Sequence, residues 1–314
     1  MILAAGEGMR LRPLTLTLPK PMVPIVGTPL LERTLLRLAN QGVTEAAINL
    51  FHRPQAIPDY FGDSFGGIRI HYFFEDILRG TAGGLKAAEA IFRGAPFFVI
   101  YGDNLIHADL RLLLDFHTAH GGVGTVGLFH HPNPTAAGII AVEADGRITR
   151  FVEKPSAEDV FSDLANAGVY VLDPAILESI PALVPSDFGR DIFPRLLANG
   201  LPLYGTLLGG YLQDTGTPEA YRQANWDELA GLTGVTYDDP SLWIDSSAQI
   251  GRGVSFAGRN VVGAGAVIGD EASVADSILW AGTQVAQGER VRDAILAPGL
   301  ALHVIPRTQE SRQQ

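Results

Sequence analysis

Short apolar runs alternate with longer helical patterns up to about Trp226. The predicted strands are 2–5, 46–50, 68–74 and 96–101, and the predicted helices are 30–39 and 85–92. Strands that alternate with helices form βαβ units, in which helices cover both faces of a mostly parallel sheet. We therefore predict an α/β, Rossmann-like domain with a mostly parallel mixed sheet, whose ligands bind at the carboxyl ends of the strands.

The pattern changes after about residue 237, where apolar residues recur every six positions. These positions are Ile250, Phe256, Val262, Ile268, Val274 and Trp280. This period is typical of a parallel β-helix, although an ordinary loop-rich β tail is the alternative. We predict a catalytic domain at 1–236, followed by a short left-handed parallel β-helix of hexapeptide repeats and a tail at 237–314. Because stacked coils leave open ends and apolar faces, we also expect a homo-oligomer assembled through the β-helix.

Composition excludes several classes of protein. The chain carries 23 Lys and Arg against 34 Asp and Glu, a net charge of −11, which argues against a nucleic-acid partner. Hydrophobic residues make up 46% of the chain, enough to form a core rather than remain disordered. No apolar run approaches the roughly 18 residues of a membrane span, so no membrane partner is expected. The absence of cysteine removes disulfides and thiolate chemistry and fits a cytoplasmic protein.

The first predicted strand runs into glycines and then into two fixed cations. Gly6 and Gly8 allow backbone N–H groups to approach an anion closely, as in phosphate-binding nests. Arg10 and Lys20 follow, and together they suit a polyphosphate. The spacing matches neither the dinucleotide-binding fingerprint nor the Walker P-loop. From these residues alone, a phosphate site and a plain surface turn are equal alternatives.

Two aspartates stand where a strand-like segment ends. Asp103 directly follows the long apolar run at 96–101, and Asp214 precedes a helix that we expect to begin near Pro218. Carboxylates at strand ends are favoured Mg²⁺ ligands, together with phosphate oxygens. The alternatives are a strand-terminating turn at Asp103 and a helix cap at Asp214.

Six motifs, in one order, resemble those of the sugar-1-phosphate nucleotidylyltransferases. They are Leu-Ala-Ala-Gly-x-Gly-x-Arg-Leu-x-Pro-Leu-Thr with Pro-Lys-Pro, then Gly-Thr-Ala-Gly-Gly, Gly-Asp-Asn, Glu-Lys-Pro, Asn-Ala-Gly and Asp-Thr-Gly-Thr-Pro. The resemblance extends from residue 2 to about 226, and many members carry a hexapeptide tail. It implies an enzyme that joins a nucleoside triphosphate to a sugar 1-phosphate and releases pyrophosphate, with Mg²⁺ bridging the phosphates.

The resemblance also implies roles for individual residues. Arg10 matches the arginine that orients the polyphosphate, Lys20 the lysine that neutralises the reacting phosphates, and Lys154 the cation that holds the sugar phosphate. Asp103 and Asp214 match the metal pair. The nucleotide-binding positions are matched by Leu3, Ala4, Gly6, Gly8, Gly80, Thr81, Ala82 and Gly83. The sugar pocket is matched by Gly138, Glu153, Asn166 and Gly168.

Some of these positions have other interpretations or depart from the family. Lys154 could be a solvated turn lysine, and Glu153 could merely pair with it at the surface. Met9 stands where the family commonly has threonine, and Arg79 where an apolar residue is more usual. Members usually carry further residues before the first strand, so we expect either a short first strand or a start upstream of Met1.

The nucleotide and the sugar are less constrained than the reaction. The stretch 80–86, with Glu75 upstream, is most similar to the mannose-1-phosphate guanylyltransferases, which implies GTP and mannose 1-phosphate. The alternatives are a uridylyl-, thymidylyl- or adenylyltransferase that uses glucose 1-phosphate, or a non-catalytic paralogue that binds sugar nucleotides and regulates a partner. An acyltransferase built on the hexapeptide tail is disfavoured, because only His303 could serve as its base.

Overall fold

The computed structural model describes residues 1–304, which form two compact units. The first unit contains residues 1–7 and 34–212, and the second contains 8–33 and the chain from 213 onward. The predicted domain boundary at 236 stays a prediction, and residues 305–314 of the predicted tail lie outside the described part. Within 1–304, no helix is long and apolar enough to cross a membrane.

The elements alternate in the predicted order up to the last helix. The helices in the described chain are α1 (Leu30–Asn40), α2 (Ala56–Phe61), α3 (Gly80–Ala87), α4 (Leu110–His120), α5 (Phe193–Ala198) and α6 (Pro218–Leu229). The strands up to α6 are β1 (Ile2–Leu3), β2 (Pro24–Ile25), β3 (Thr28–Pro29), β4 (Glu45–Leu50), β5 (Ser64–Phe65), β6 (Ile68–Phe74), β7 (Phe97–Tyr101), β8 (Asn104–His107), β9 (Gly124–His130), β10 (Gly138–Val142), β11 (Ile148–Glu153), β12 (Leu164–Leu172), β13 (Leu203–Leu207) and β14 (Tyr211–Asp214).

The first unit is built on one mixed sheet. Its strand order is β11-β10-β12-β7-β1-β4-β6-β5, and β9 and β13 extend it beside β12. The pairs β7–β1, β1–β4 and β4–β6 are parallel, whereas β12 pairs antiparallel with β7, β9 and β10. The predicted α/β sheet is therefore confirmed, with its parallel pairs at the centre and one antiparallel half. Its core includes Val99, Tyr170, Phe188 and Phe193.

Two predicted elements, the first strand and the helix predicted at 85–92, have other boundaries in the structure. β1 ends at Leu3 rather than at residue 5, because the N–H of Ala4 donates to the side chain of Asn49 at 2.9 Å. α3 spans Gly80–Ala87 rather than the predicted 85–92, so both its start and its end lie earlier in the chain than predicted. The early start depends on the carbonyl of Ser186, which accepts from the N–H groups of Ala82 and Gly83.

The second unit contains a parallel β-helix with three faces. Its strands are β15 (Leu242–Ile244), β16 (Gln249–Ile250), β17 (Ser255–Ala257), β18 (Asn260–Val262), β19 (Val267–Ile268), β20 (Ser273–Ala275), β21 (Ile278–Leu279), β22 (Gln284–Val285), β23 (Arg290–Arg292), β24 (Ala294–Ala297) and β25 (Leu300–His303). The faces are β15-β18-β21-β24-β25, β16-β19-β22 and β17-β20-β23. The predicted β-helix is confirmed, and its left-handedness stays a prediction.

The predicted six-residue register is wrong at one position, Trp280, and holds at Ile250, which pairs with Ile268. Ile268 and Val274 lie in the coil core, but the next core position is Leu279 rather than Trp280. The register across the coil explains this, since β16 and β19 are 18 residues apart whereas Val262 pairs with Leu279, 17 residues later. Ile250, on the first coil, is 39% exposed because no earlier coil covers it.

Candidate functional site

The predicted phosphate loop begins at a position that only glycine fits. Gly8 has φ +61°, and a Cβ there would lie 2.9 Å from Thr15 Cγ2 and 3.1 Å from Lys20 Cβ. Thr15 Oγ1 donates to the carbonyl of Gly8 at 2.8 Å. A larger residue would combine a strained backbone with a clash. Gly8 therefore allows the loop to pack directly on the residue that supplies the buried cation.

Lys20, Arg10 and Asp214 form an ion-pair cluster in the second unit. Lys20 Nζ lies 2.9 Å from Asp214 Oδ1, and Arg10 Nη2 lies 3.3 Å from Asp214 Oδ2. The Lys20 side chain is 5% exposed and that of Arg10 is 69% exposed. Burial raises the pKa of Asp214, but the charges of Lys20 and Arg10 outweigh it and lower the pKa overall. The cluster thus combines a fixed, buried cation with one that remains accessible.

The position of Asp214 excludes one of its alternative roles. Helix α6 begins at Pro218, as predicted, and its cap is Thr217, whose Oγ1 accepts from the N–H of Ala220 at 3.2 Å. Asp214 lies at the end of β14, before this turn. The interpretation of Asp214 as a helix cap is therefore wrong, and its carboxylate contacts Lys20 and Arg10.

Helix α6 fixes the far end of the loop that carries these cations. Tyr221 on α6 donates to the carbonyl of Pro24 at 2.5 Å, and Asn225 Oδ1 accepts from the N–H of Val26 at 2.8 Å. Trp280 of the β-helix donates from Nε1 to the Tyr221 hydroxyl at 2.9 Å. Trp280 is therefore displaced from the coil core to a polar contact that holds the loop through Tyr221.

The predicted nucleotide-binding residues of the first unit lie on either side of a buried polar pair. Leu3 and Ala4 end β1, and Gly6 is exposed just beyond them. Asn49 Nδ2 donates to Glu75 Oε1 at 2.8 Å while Asn49 Oδ1 accepts from Ala4. The second oxygen of Glu75 accepts from the N–H at residue 79, just before α3. This buried pair connects the end of β1 to the start of α3.

The stretch Gly80–Gly83 forms the first turn of α3, and the N–H groups of its last three residues are already hydrogen-bonded. Gly80 has φ +72°, and a Cβ there would lie 2.5 Å from the carbonyl oxygen of Ser186. The N–H of Thr81 donates to Asp187 Oδ1 at 3.3 Å, and the next two N–H groups donate to Ser186. These three N–H groups are therefore not open to an anion, and the predicted contact of this stretch with the base and ribose stays a prediction.

Asp103 lies in the turn between β7 and β8, at the carboxyl end of a central strand. Gly102 places it there, because its N–H donates to the carbonyl of Leu3 at 2.9 Å and a Cβ would lie 2.9 Å from Ile2 Cγ2. Asn104 then donates from Nδ2 to the carbonyl of Ala167 at 3.3 Å. The close packing of β1 and β7 thus fixes the backbone that carries the Asp103 carboxylate.

On the predicted sugar side, two glycines pack closely around one carboxylate. Gly138 pairs with Glu153 across β10 and β11, and a Cβ at Gly138 would lie 2.5 Å from Glu153 Oε2. A Cβ at Gly189 would lie 2.7 Å from the same oxygen. Lys154 adopts φ +48°, with its N–H donating to the carbonyl of Ala137, and its side chain is exposed. The two glycines thus make room for a half-buried Glu153 carboxylate.

Asn166 and Gly168 lie at an irregularity in β12. The register between β12 and β9 shifts between Asn166 and Tyr170, and Gly168 has φ +68°. Asn166 Oδ1 accepts from the N–H of Gly168 at 2.9 Å, and a Cβ at Gly168 would lie 2.8 Å from the ring of Tyr101. The pairing of β12 with β9 is therefore interrupted between Asn166 and Tyr170. Within this interruption the side-chain amide of Asn166 bonds to the backbone of Gly168.

Replacing Glu153 by glutamine is expected to raise the melting temperature at pH 7–8 by about 2–4 °C. Burial raises the pKa of Glu153, although the charges of Lys154 and Arg190 partly offset it. The folded state therefore holds the proton more tightly than the unfolded chain, and stability falls as pH rises through the range between the two pKa values. The amide removes this penalty above that range, and the gain should disappear near pH 4. Thermal unfolding followed across pH measures it.

Glu143→Gln is the matched control, because this side chain is exposed near the end of the same hairpin. It should leave the melting temperature within about 1 °C at every pH. A Glu153→Gln variant that is equally or less stable than the parent at pH 8 would contradict a buried, ionised carboxylate here.

Several residues that shape these clusters carry no motif signal. Asn49 is the polar residue within the apolar run 46–50. Its place in this run was the one sign in the sequence that its side chain is buried. Ser186 and Asp187 lie in a loop and act on α3 about 100 residues earlier in the chain. Tyr101 and Tyr170 look like ordinary strand residues. Their contribution depends on strand pairing and could not be predicted locally.

The donor chemistry at the predicted metal residues fits a hard divalent cation. Asp103 and Asp214 offer carboxylate oxygens, and Mg²⁺ typically takes one or two carboxylates together with substrate phosphates and water. Within residues 1–304, no group of three or more His, Asp or Glu side chains is arranged to hold a metal.

Comparison with known proteins identifies the family of the chain. The model of the nucleotidyl transferase family matches residues 1–231. A mannose-1-phosphate guanylyltransferase from Mycobacterium tuberculosis is 33% identical over 297 residues, covering 92% of this chain and 81% of the relative. A UTP–glucose-1-phosphate uridylyltransferase from Synechocystis sp. is 30% identical, covering 94% of this chain and 86% of the relative.

A solved structure supports the same fold. The crystal structure of HddC from Yersinia pseudotuberculosis superposes with a TM-score of 0.61 at 26% identity, covering 71% of this chain and 96% of that one. The family match spans both the predicted phosphate loop and the predicted sugar side. The chain belongs to the sugar-1-phosphate nucleotidyltransferases of the nucleotidyl transferase family.

Proposed function

We propose that the enzyme makes a nucleoside diphosphate sugar from GTP and mannose 1-phosphate. A phosphate oxygen of the sugar 1-phosphate attacks the α-phosphorus of GTP in line. The new P–O bond forms as the bond to the β-phosphate oxygen breaks, and pyrophosphate leaves with the bonding electron pair. This reaction depends on positioning and charge stabilisation and needs no protein nucleophile.

One observation carries the proposal, namely the buried Lys20 held 2.9 Å from Asp214 beside Arg10. A cation fixed by a carboxylate before substrate arrives costs little reorganisation when charge develops on the phosphates. Arg10 is accessible and can bind phosphate oxygens bidentately. We assign the reacting phosphates to Lys20 and the polyphosphate tail to Arg10.

Asp103 and Asp214 are the proposed ligands of Mg²⁺. When bound, this cation would neutralise charge on the phosphates of the nucleotide. Asp214 is suited to this role because Lys20 and Arg10 lower its pKa, so that its carboxylate is ionised at neutral pH.

The sugar phosphate is assigned to the glycine-lined carboxylate and the strand irregularity. Glu153 and Asn166 would hydrogen-bond sugar hydroxyls, with Gly138 packed against the Glu153 carboxylate and Gly168 against the Tyr101 ring. Lys154, exposed beside Glu153, would hold the phosphate group. On the nucleotide side, Leu3, Ala4, Gly6 and the first turn of α3 would contact the base and the ribose.

The relatives support GTP and mannose 1-phosphate without deciding between bases. The relative from Mycobacterium tuberculosis is a mannose-1-phosphate guanylyltransferase, whereas the one from Synechocystis sp. is a UTP–glucose-1-phosphate uridylyltransferase. The two cover similar shares of this chain. Uridylyl transfer to glucose 1-phosphate is therefore the second candidate.

A substrate panel tests the assignment directly. Pyrophosphate release should be measured with Mg²⁺ for GTP, UTP, dTTP and ATP, each with mannose 1-phosphate and with glucose 1-phosphate. We expect GTP with mannose 1-phosphate to have the highest kcat/KM, by about tenfold or more, because base and sugar contacts are each worth about 1–3 kcal/mol.

The panel also separates the alternatives. Faster turnover of UTP or dTTP with glucose 1-phosphate would contradict the substrate assignment while leaving the reaction class intact. Nucleotide and sugar-phosphate binding without pyrophosphate release from any pair would instead identify a non-catalytic paralogue. A cytoplasmic location and a homo-oligomer assembled through the β-helix stay predictions.

A further inference from the structure

A chain of side-chain hydrogen bonds crosses the first unit from the predicted sugar side to the start of α3. Asn166 Nδ2 donates to the Tyr170 hydroxyl at 2.8 Å, and the Tyr170 hydroxyl donates to that of Tyr101 at 3.2 Å. The Tyr101 hydroxyl has the Thr81 side chain as a further hydrogen-bonding partner. Thr81 Oγ1 donates to Asp187 Oδ1 at 3.1 Å. The chain thus connects an amide on β12 with a carboxylate that also accepts from the N–H of Thr81 in the first turn of α3.

The direction of every bond follows from the carboxylate at the far end. The Asp187 carboxylate can only accept, so the single O–H of Thr81 donates to it. Thr81 must then accept from Tyr101. The Tyr101 hydroxyl, with its own proton used, accepts from the next tyrosine in the chain. The order of donors is therefore fixed from one end to the other.

This direction determines how the Asn166 amide faces. Because the proton of Tyr170 is given to Tyr101, its oxygen needs a donor and selects the NH₂ group of Asn166. The amide oxygen then faces the N–H of Gly168, which it accepts at 2.9 Å. A flipped amide would set NH₂ against N–H at Gly168. One N–H and one oxygen lone pair of Asn166 remain, in a fixed orientation, for a ligand.

The tyrosines that transmit this orientation are held rigidly. Tyr170 is completely buried and contacts Phe188 and Phe193 edge to face, with ring centroids 5.3 and 5.1 Å away. It also meets Tyr101 edge to face at 5.9 Å. At the other end, the N–H of Phe188 donates to Thr81 Oγ1 at 2.9 Å. Neither ring can move without disturbing the aromatic core.

We propose that Tyr101 and Asp187 are positioning residues that set the amide of Asn166 for sugar recognition. Neither needs to touch the sugar, because both act through the intervening hydroxyls. The inference rests on the proposed role of Asn166 in binding the sugar phosphate. It adds that recognition of a sugar hydroxyl depends on a hydrogen-bond chain that ends at the nucleotide-side helix.

The kinetic arm of the test compares two KM values in one variant. Tyr101→Phe removes the central hydroxyl and keeps the ring, so the KM for mannose 1-phosphate should rise about three- to tenfold, as for the loss of one buried hydrogen bond. The KM for GTP should change less than twofold, because Thr81 is still held by Asp187 and Phe188. Asp187→Ala should raise the sugar-phosphate KM as well. The double variant should show less than the product of the two effects.

A structural arm needs no activity. The decreases in melting temperature caused by Tyr101→Phe and Asn166→Ala should not add in the double variant. The double variant should melt at least about 2 °C higher than the sum of the two single decreases predicts. Tyr72→Phe is the matched control, because its exposed hydroxyl donates to the carbonyl of Gly62 at 2.7 Å. This control should leave both KM values unchanged.

The possible outcomes test three statements separately, namely the hydrogen-bond chain, its positioning role and the proposed function. Additive melting shifts, or multiplicative KM effects, would overturn the chain. Non-additive melting with an unchanged sugar-phosphate KM in an active enzyme would overturn its positioning role and leave the proposed function standing. If the parent turns over no substrate pair, the proposed function fails instead. The dissociation constant of mannose 1-phosphate, from calorimetry, then replaces KM, and equal values for the parent and Tyr101→Phe would overturn the inference.

Discussion

Lys20→Met is expected to lower kcat/KM by roughly 10²- to 10³-fold, the typical cost of losing one preorganised charge at a reacting phosphate. The side chain is buried and its ammonium is fixed by Asp214, so neither Arg10 nor solvent can occupy its place. Methionine fills a similar volume. The half-exposed Asp214 can hydrate and keeps its bond to Arg10, so the fold should persist. Steady-state pyrophosphate release, together with circular dichroism, measures both expectations.

The chain offers a matched control for this change. It contains three lysines, Lys20, Lys86 and Lys154. Lys86 is also ordered, bonding to Glu89 at 2.7 Å and to the carbonyl of Leu177 at 3.0 Å. Lys86→Met should retain kcat/KM within about threefold, because it removes an ion pair of the ordinary surface type. A Lys20→Met enzyme that matches this control would refute the assignment of Lys20 to the reacting phosphates.

The elements that sequence predicted well are those whose signal is local. The helix predicted at 30–39 is Leu30–Asn40, and the strand predicted at 68–74 is Ile68–Phe74. Their periodicity is carried by consecutive residues. The start of α3 was predicted five residues late, because Gly80 and the N–H groups after it depend on Ser186, an acceptor about 100 residues away. Helix propensity gives no sign of such a partner.

The β-helix shows how a correct period can still misplace a residue. The six-residue repeat predicted the coil, but the turns from β18 to β21 and from β21 to β24 are 17 rather than 18 residues long. Leu279 and Trp280 are both apolar, so the sequence does not reveal which of them enters the coil. The structure buries Leu279 in the coil and uses the indole N–H of Trp280 to hold Tyr221.

The candidate site also contains some residues that the sequence predicted and others that it did not. Its charged residues were predicted by motif, and the structure brings Arg10, Lys20 and Asp214 together. The hydrogen-bond chain behind Asn166 was not predicted. It requires the antiparallel register in which Val169 pairs with Ile100, which brings β7 and β12 side by side. Two tyrosines in apolar strands give no local sign that their hydroxyls meet.

Asp103→Ala is expected to reduce turnover by two orders of magnitude or more, roughly 100-fold, because a metal ligand is worth several kcal/mol of charge stabilisation. The loss should be only partly recovered at high Mg²⁺, since the remaining ligands bind the cation in a less suitable position. The fold should not change. Asp103 is half-exposed in a turn, and the close packing of β1 on β7 depends on Gly102 rather than on the carboxylate. Pyrophosphate release as a function of Mg²⁺ concentration measures the effect.

Asp115→Ala separates a local role from a general loss of negative charge. Asp115 is exposed on α4, and its replacement changes the net charge by the same amount as Asp103→Ala. It should leave kcat and the Mg²⁺ dependence within about twofold of the parent, as for most exposed substitutions. Near-normal activity of Asp103→Ala would refute the metal assignment. A parallel loss in Asp115→Ala would instead show that the acidic surface as a whole, rather than the β7 turn, governs the response to Mg²⁺. Of these two aspartates, only Asp103 follows a central strand, and Gly102 fixes the end of that strand. We therefore expect the turnover of the two variants to differ by roughly 100-fold, the whole effect of losing the metal ligand.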